Sequence, residues 1–74
     1  MLIEDLKMLM AKKNISRSEL ARMLGDSPQN LYLKFKRNSL KDYDLKEIFE
    51  KLNIDAEIIY RNKESEEEIY RRKF

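Results

Sequence analysis

Hydrophobic residues recur at helical spacing in four segments of the chain, residues 2–13, 17–24, 28–37 and 42–52. In each segment they fall on one stripe, which is typical of an amphipathic helix packed on a core. The inward positions are Leu2, Ile3, Leu6, Leu9 and Met10 in the first segment, Leu20, Ala21 and Leu24 in the second, Leu31 and Phe35 in the third, and Leu45, Ile48, Phe49 and Leu52 in the fourth. Four short helices are therefore predicted.

The joint between the second and third helices carries the strongest local signals. Ser16 and Glu19 have the spacing of a capping box at the beginning of the second helix. Gly25, the only glycine, lies where a helix end favours a left-handed residue. Ser27 is a suitable N-cap, and Pro28, the only proline, occupies the first helical position. The two helices are predicted to be joined by a tight turn.

The C-terminal part of the chain is harder to interpret. Residues 56–61 are β-branched and aromatic and predict a strand. Residues 65–74 favour a helix or a frayed tail, because Ser65 and Glu68 repeat the capping-box spacing and two pairs have i, i+4 spacing, Glu67/Arg71 and Glu68/Arg72. The alternative is a hairpin in which the tail pairs back on residues 56–61.

Composition narrows the class of protein. The 74 residues leave room for one domain, and without cysteine or histidine there can be no disulfide or Cys/His zinc site. Without histidine or cysteine, the roles of general base and nucleophile would fall to Asp, Glu, Lys or Ser, and no pair of these lies in a recognisable catalytic frame. One glycine cannot form a phosphate-binding loop, so we expect neither an enzyme nor a cofactor. Three methionines, Met8, Met10 and Met23, are expected to fill the core.

Neither a membrane-spanning run nor a secretory leader is recognisable, which leads us to expect a soluble cytoplasmic protein. The net charge of +2 conceals an asymmetry. Residues 1–41 hold nine Lys/Arg against four Asp/Glu, whereas residues 42–74 hold seven against ten. A basic front half is typical of a polyanion-binding surface, although such charges can also simply solvate helices.

The segment from Ser16 to Leu31, SRSELARMLGDSPQNL, resembles the helix-turn-helix of the Cro/repressor class of regulators, also called the xenobiotic-response-element family. Small phage-like or Firmicute-type members are the most similar, through SPQNL and the basic segment from Lys34 to Asn38. The resemblance covers roughly residues 2–54. It implies double-stranded DNA as the partner, with the third helix in the major groove.

The resemblance also implies which side chains read bases. Pro28, Gln29 and Asn30 occupy the reading positions at the beginning of the third helix, and Leu33 occupies the next outward position. Glutamine and asparagine match the donor and acceptor on adenine's major-groove edge, and leucine suits a thymine methyl group. The base-reading prediction is Gln29, Asn30 and Leu33; the alternative is that the amides are solvated first-turn residues.

Basic and hydroxyl side chains around this helix are the predicted phosphate contacts. Arg17 takes the place of a glutamine that contacts phosphate in many relatives. Such contacts fix the position of a protein on DNA without reading its sequence. The predicted phosphate-binding residues are Arg17, Ser27, Lys34, Lys36, Arg37 and Lys41.

These observations predict a mainly α fold, a four- to five-helix bundle with a helix-turn-helix plus a short C-terminal strand or hairpin. Residues 1–54 would form the DNA-binding domain, and residues 55–74 a strand and tail that extend it for dimerisation through Ile58, Ile59 and Tyr60. The function predicted is that of a repressor-like transcriptional regulator acting as a homodimer. The alternative is a protein-interaction module or an antitoxin-like partner-binding protein.

Overall fold

A computed structural model describes residues 3–74 as four helices followed by an antiparallel hairpin. The elements are α1 (Ile3–Lys12), α2 (Arg17–Met23), α3 (Pro28–Arg37), α4 (Asp42–Lys51), β1 (Glu57–Arg61) and β2 (Glu68–Lys73). The four helices and the first strand lie where the sequence predicts them. Leu2, placed in the first helix by the periodicity, lies outside the described residues.

One hydrophobic core joins all four helices. Leu6 of α1 and Leu20 and Ala21 of α2 have no exposed surface at all. The full set of buried residues is Leu6, Met10, Leu20, Ala21, Leu31, Phe35, Leu45, Ile48, Phe49 and Leu52. The predicted inward stripes are confirmed at these positions, since each lies on its helix at the spacing that turns it inward. The expectation that three methionines fill the core is wrong for two of them, because Met8 and Met23 are exposed.

Every helix ends at a residue with left-handed backbone. Asn14, Gly25, Asn38 and Asn53 have φ of 56°, 70°, 51° and 56°. At each end the following residue donates its N–H to the carbonyl five residues earlier, a hydrogen bond that closes the end of a helix. The four bonds, 2.9–3.0 Å long, are Ile15 to Met10, Asp26 to Ala21, Ser39 to Lys34 and Ile54 to Phe49. Each helix is thus terminated in the same way.

The joint between α2 and α3 forms as predicted. The Glu19 amide donates to the Ser16 hydroxyl at 3.1 Å, and the Ser16 amide donates to the Glu19 carboxylate at 3.3 Å, which completes the capping box. Ser27 caps α3, its hydroxyl accepting from the Asn30 amide at 3.1 Å, and Pro28 is the first helical residue. These caps satisfy amides that have no partner within the helix.

The tail forms a strand, so the prediction of a helix or frayed tail at residues 65–74 is wrong and the hairpin alternative is confirmed. Ser65 does not cap a helix; its hydroxyl accepts from the Glu67 amide at 3.4 Å within the turn. The turn is held by Asn62, whose side-chain oxygen accepts from the amides of Glu64 and Ser65. Glu66, at φ 61°, supplies the left-handed residue that a glycine would usually provide.

Charged pairs also differ from the helical expectation. The i, i+4 pairs Glu67/Arg71 and Glu68/Arg72 are not formed. Arg71 instead lies 2.7 Å from Glu68 and 3.1 Å from Glu57 on the neighbouring strand. The contact with Glu57 suits a strand pair, in which side chains on one face of adjacent strands meet, whereas the contact with Glu68 lies within β2. The pKa of Arg71 is raised, first by its hydrogen bond to Glu68 and then by the charges of Glu57 and Glu68.

The hairpin is fastened to the bundle at its open end, away from the turn. Phe74 packs edge-on against Phe49 of α4 with ring centroids 5.3 Å apart, and its amide donates to the Ala56 carbonyl. Arg72 donates to the Asp42 carboxylate at 2.6 Å. Toward the turn the strands carry exposed side chains, and the longest dimension of the molecule is 45 Å. The Cα radius of gyration of 14.2 Å exceeds the roughly 11 Å of a compact chain of this length, as a projecting hairpin requires.

Gly25→Ala tests the left-handed end of α2 without a steric complication, because a Cβ at this position would meet no atom within 4 Å. We expect the free energy of unfolding to fall by about 1 kcal/mol, the cost of placing alanine in left-handed backbone. Gly25→Asn should lose less, since asparagine tolerates that conformation. Urea denaturation measures both; an alanine variant as stable as the asparagine variant would contradict the assignment.

Candidate nucleic-acid interface

The outer face of α3 is turned away from the core. Leu31 and Phe35 are the buried residues of this helix, and the residues one turn apart on the opposite side are Gln29, Leu33 and Arg37. Gln29 and Arg37 are exposed, and Leu33 is half-buried. Two of the three predicted base-reading residues therefore share one face with Arg37, one of the predicted phosphate contacts. A partner that meets this face touches all three side chains.

The third predicted base reader, Asn30, belongs to a hydrogen-bonded network at the beginning of α3. Its side-chain N–H donates to the Asp26 carboxylate at 3.2 Å, and the Ser27 amide donates to the same oxygen at 2.8 Å. The other Asp26 oxygen lies 3.6 Å from the Lys34 ammonium. Asp26 therefore occupies one of the two N–H donors of the Asn30 side chain, and the second donor and the carbonyl oxygen form no hydrogen bond with the described residues.

Asp26 is the electrostatic centre of this network. The Ser27 amide and then the Asn30 amide donate to its carboxylate and lower its pKa, and the Lys34 charge lowers the pKa further. Asp26 is consequently ionised at neutral pH. A negative charge thus lies beside two predicted DNA contacts, Asn30 and Lys34, and the sequence alone did not indicate it.

The basic residues of α3 do not form one surface. Lys34 lines a groove with Asp44 and Glu47 of α4, so its flank of the helix is acidic. Lys36 lines a groove on the opposite flank, with Glu4 and Lys7 of α1. The predicted phosphate contacts Lys34 and Lys36 are therefore separated by the width of α3. Of the two, Lys36 lies on the side with further positive charge.

Arg17 and Tyr32 connect the beginning of α2 with α3. The Arg17 guanidinium carbon lies 4.7 Å from the centre of the Tyr32 ring, within the range of a cation–π contact. Both residues are exposed, so the guanidinium remains accessible. Tyr32 therefore has a definite structural role, to hold the predicted phosphate-binding Arg17 in place.

Lys7 of α1 joins this flank and is not among the contacts that the sequence predicts. It lines one groove with Arg17 and another with Lys36. Lys7, Arg17 and Lys36, the residues we call the basic flank, therefore lie along one side of α3. Their sequence separation conceals this proximity, since it depends on how α1 packs beside α3.

The remaining predicted contacts are exposed but less closely tied to α3. Lys41 immediately precedes α4, where its backbone N–H donates to the Asp44 carboxylate at 2.9 Å. Ser27 uses its hydroxyl oxygen to cap α3, which leaves the hydroxyl hydrogen available to an acceptor. Both residues are accessible to a ligand.

The three residues predicted at the dimer contact lie on β1. Ile58 and Ile59 are half-buried and Tyr60 is exposed. Tyr60 pairs with Tyr70 of β2, and their rings stack with centroids 6.1 Å apart. The tyrosine pair and Ile69 of β2 are thus the more accessible apolar residues of the hairpin, and Ile58 and Ile59 are less accessible.

Residues 3–74 contain neither a recognisable metal site nor a membrane-spanning helix. There, acidic side chains do not gather into any group that could hold a metal ion. The helices described are also too short or too polar to cross a membrane. Comparisons with protein-family profiles, with curated proteins and with solved structures find no match for this chain.

The Asp26 network makes folding dependent on pH in a predictable direction. The folded-state pKa of Asp26 is lowered, so its ionised carboxylate stabilises the folded protein. This stabilisation is complete above the ordinary aspartate pKa of about 4. It is lost as the pH falls from that value to the lower folded-state pKa. Wild type should exceed Asp26→Asn in stability at pH 7, and the gap should narrow below about pH 4. Denaturation at several pH values measures this difference in stability between the wild type and Asp26→Asn. A difference that does not change with pH would contradict the ionised network.

Proposed function

We propose that the chain binds double-stranded DNA sequence-specifically, with α3 in the major groove, and acts as a repressor-like transcriptional regulator. The observation that carries the proposal is the outer face of α3. It follows a tightly capped turn, presents Gln29, Leu33 and Arg37 together, and is bordered by the basic flank. A major groove admits one α-helix, and side chains on one helical face then meet base edges.

Base reading is assigned chiefly to Gln29. Both ends of its amide are free of hydrogen bonds to the described residues, so it can donate and accept at the edge of an adenine. Asn30 differs, because Asp26 takes one of its two side-chain N–H donors and so fixes the orientation of its amide. Its oxygen can accept from an exocyclic amino group of cytosine or adenine. Leu33 supplies an apolar contact for a thymine methyl group.

Phosphate binding is assigned to the basic flank and Arg37. Arg17, Lys7 and Lys36 lie on one side of the reading face, and Arg37 lies at its end. Positive side chains in that position meet the sugar–phosphate backbone beside the groove. Lys34 is the weaker candidate, because its ammonium is already paired with Asp26. Lys41 and Ser27 remain further candidates.

A homodimer completes the proposal. One ten-residue helix contacts few base pairs, and two copies related by a twofold axis read two half-sites about 34 Å apart. The exposed tyrosine pair on the hairpin supports contact with a protein. The same observation favours a second candidate function, a protein-interaction or antitoxin-like module that binds DNA only together with a partner.

Gln29→Ala is expected to weaken binding to the preferred duplex by roughly 1–3 kcal/mol and to relax the preference at one base pair. Fluorescence anisotropy with labelled duplexes gives both quantities, once selection from a random duplex library has supplied the preferred sequence. A palindrome in that selection supports the homodimer. An unchanged affinity for every duplex would remove Gln29 from the reading face.

Lys36→Ala should weaken binding to all duplexes equally and reduce the slope of log K against log salt by about one. Lys51→Ala is the matched control, because Lys51 lies at the end of α4, outside the basic flank. Its affinity should remain that of the wild type. Equal effects of the two variants would indicate attraction by net charge alone, and a complex that forms only with a second protein would favour the antitoxin-like function.

A further inference from the structure

The hairpin has an exposed aromatic face with no covering element among the described residues. Tyr60 and Tyr70 stack on this face and are 52% and 57% exposed. Ile69, which precedes Tyr70 in β2 and has no partner in the strand register, is 68% exposed. A two-stranded hairpin alone in water is only marginally stable. Here it is anchored to the bundle only near Phe74, so its outer part lacks packing. Such a surface is typical of an interface.

Charge is distributed unevenly along the hairpin. The turn carries Glu64, Glu66 and Glu67 together with Lys63, and none of these four residues forms an ion pair with the described residues. At the anchored end, Arg71 and Arg72 pair with Glu57, Glu68 and Asp42. Lys73, the neighbouring Lys46 of α4 and Asp55, which lines a groove with Lys73, form no ion pair within residues 3–74. The unpaired charges are therefore net negative at the turn and net positive at the anchored end.

We propose that a second copy of the chain covers this face, with the two hairpins antiparallel so that each acidic turn meets the partner's basic anchored end. The five residues of β1 extend over about 17 Å, at roughly 3.4 Å per residue. When two hairpins lie antiparallel over this length, the turn of one copy lies beside the anchored end of the other, where Lys46 and Lys73 are. The stacked tyrosines of the two copies then meet near the twofold axis. A parallel arrangement would bring acidic turns together, and like charges oppose it.

This arrangement deepens the homodimer part of the proposed function by naming its interface. It makes the contact isologous, since the same surface serves both copies. It also moves the contact from the half-buried Ile58 and Ile59 to the exposed Tyr60, Ile69 and Tyr70. All measurements that test it are made without DNA, so they remain informative if the chain binds no duplex.

Charge reversal at the two ends of the hairpin provides the test. One variant, Glu64→Lys/Glu67→Lys, makes the turn basic; the other, Lys46→Glu/Lys73→Glu, makes the anchored end acidic. Each variant alone should raise the dimer Kd by roughly tenfold or more, because like charges then face each other twice. An equimolar mixture should recover a dimer, since the reversed charges are complementary. Sedimentation equilibrium at low salt measures every sample, and circular dichroism verifies folding.

Two further variants distinguish a contact at this interface from an effect of net charge and test the aromatic surface. Lys12→Glu/Lys13→Glu changes the net charge as much as the second variant but lies at the end of α1, and it should dimerise like the wild type. Tyr70→Thr keeps a strand-forming residue, removes aromatic surface and should weaken the dimer. A wild type that is monomeric at high micromolar concentration would overturn the proposal. So would reversed variants that dimerise normally, or an equimolar mixture of the two folded variants that stays monomeric.

Discussion

Left-handed residues at the helix ends are the constraint on which the rest of this fold depends. None of the four helices exceeds ten residues, a length that is marginal for an isolated helix in water. Each helix persists because its apolar face is buried, and that burial requires the chain to turn within the four residues that connect one helix to the next. Asn14, Gly25, Asn38 and Asn53 make those reversals with one repeated hydrogen-bond pattern. The shared core and the orientation of α3 follow from them.

The helical part of the fold could be predicted because its signals are local. Periodicity gave the buried residues, and Ser16, Gly25, Ser27 and Pro28 gave the turn. The tail could not be predicted with the same success, since capping spacing and charge pairs are local signals and its structure is decided at long range. Phe74 packs on a helix that lies more than twenty residues earlier in the chain. That contact leaves no trace in the pattern of residues 65–74.

In the candidate interface, too, the features set by local helical geometry could be predicted and those set by long-range contacts could not. Sequence placed Gln29, Leu33 and Arg37 outward on one helix, which depends only on helical geometry. It could not show which charges surround Lys34 and Lys36 or add Lys7 to the basic flank, because those relations depend on which helices border α3. The sequence pattern did not single out Asp26. Its hydrogen bonds to Ser27 and Asn30 and its ion pair with Lys34 became visible only in three dimensions.

The arrangement of α3 has a consequence for how this chain can diversify. Two of its ten residues, Leu31 and Phe35, are buried, and its ends are fixed by Ser27 and Asn38 outside the helix proper. The outward positions contribute little to the core. Mutations at these positions can change what the surface recognises while leaving the free energy of folding nearly unaltered. Gln29 and Arg37 are exposed positions of this kind, whereas a change at Asn30 or Lys34 also alters the stabilising network around Asp26.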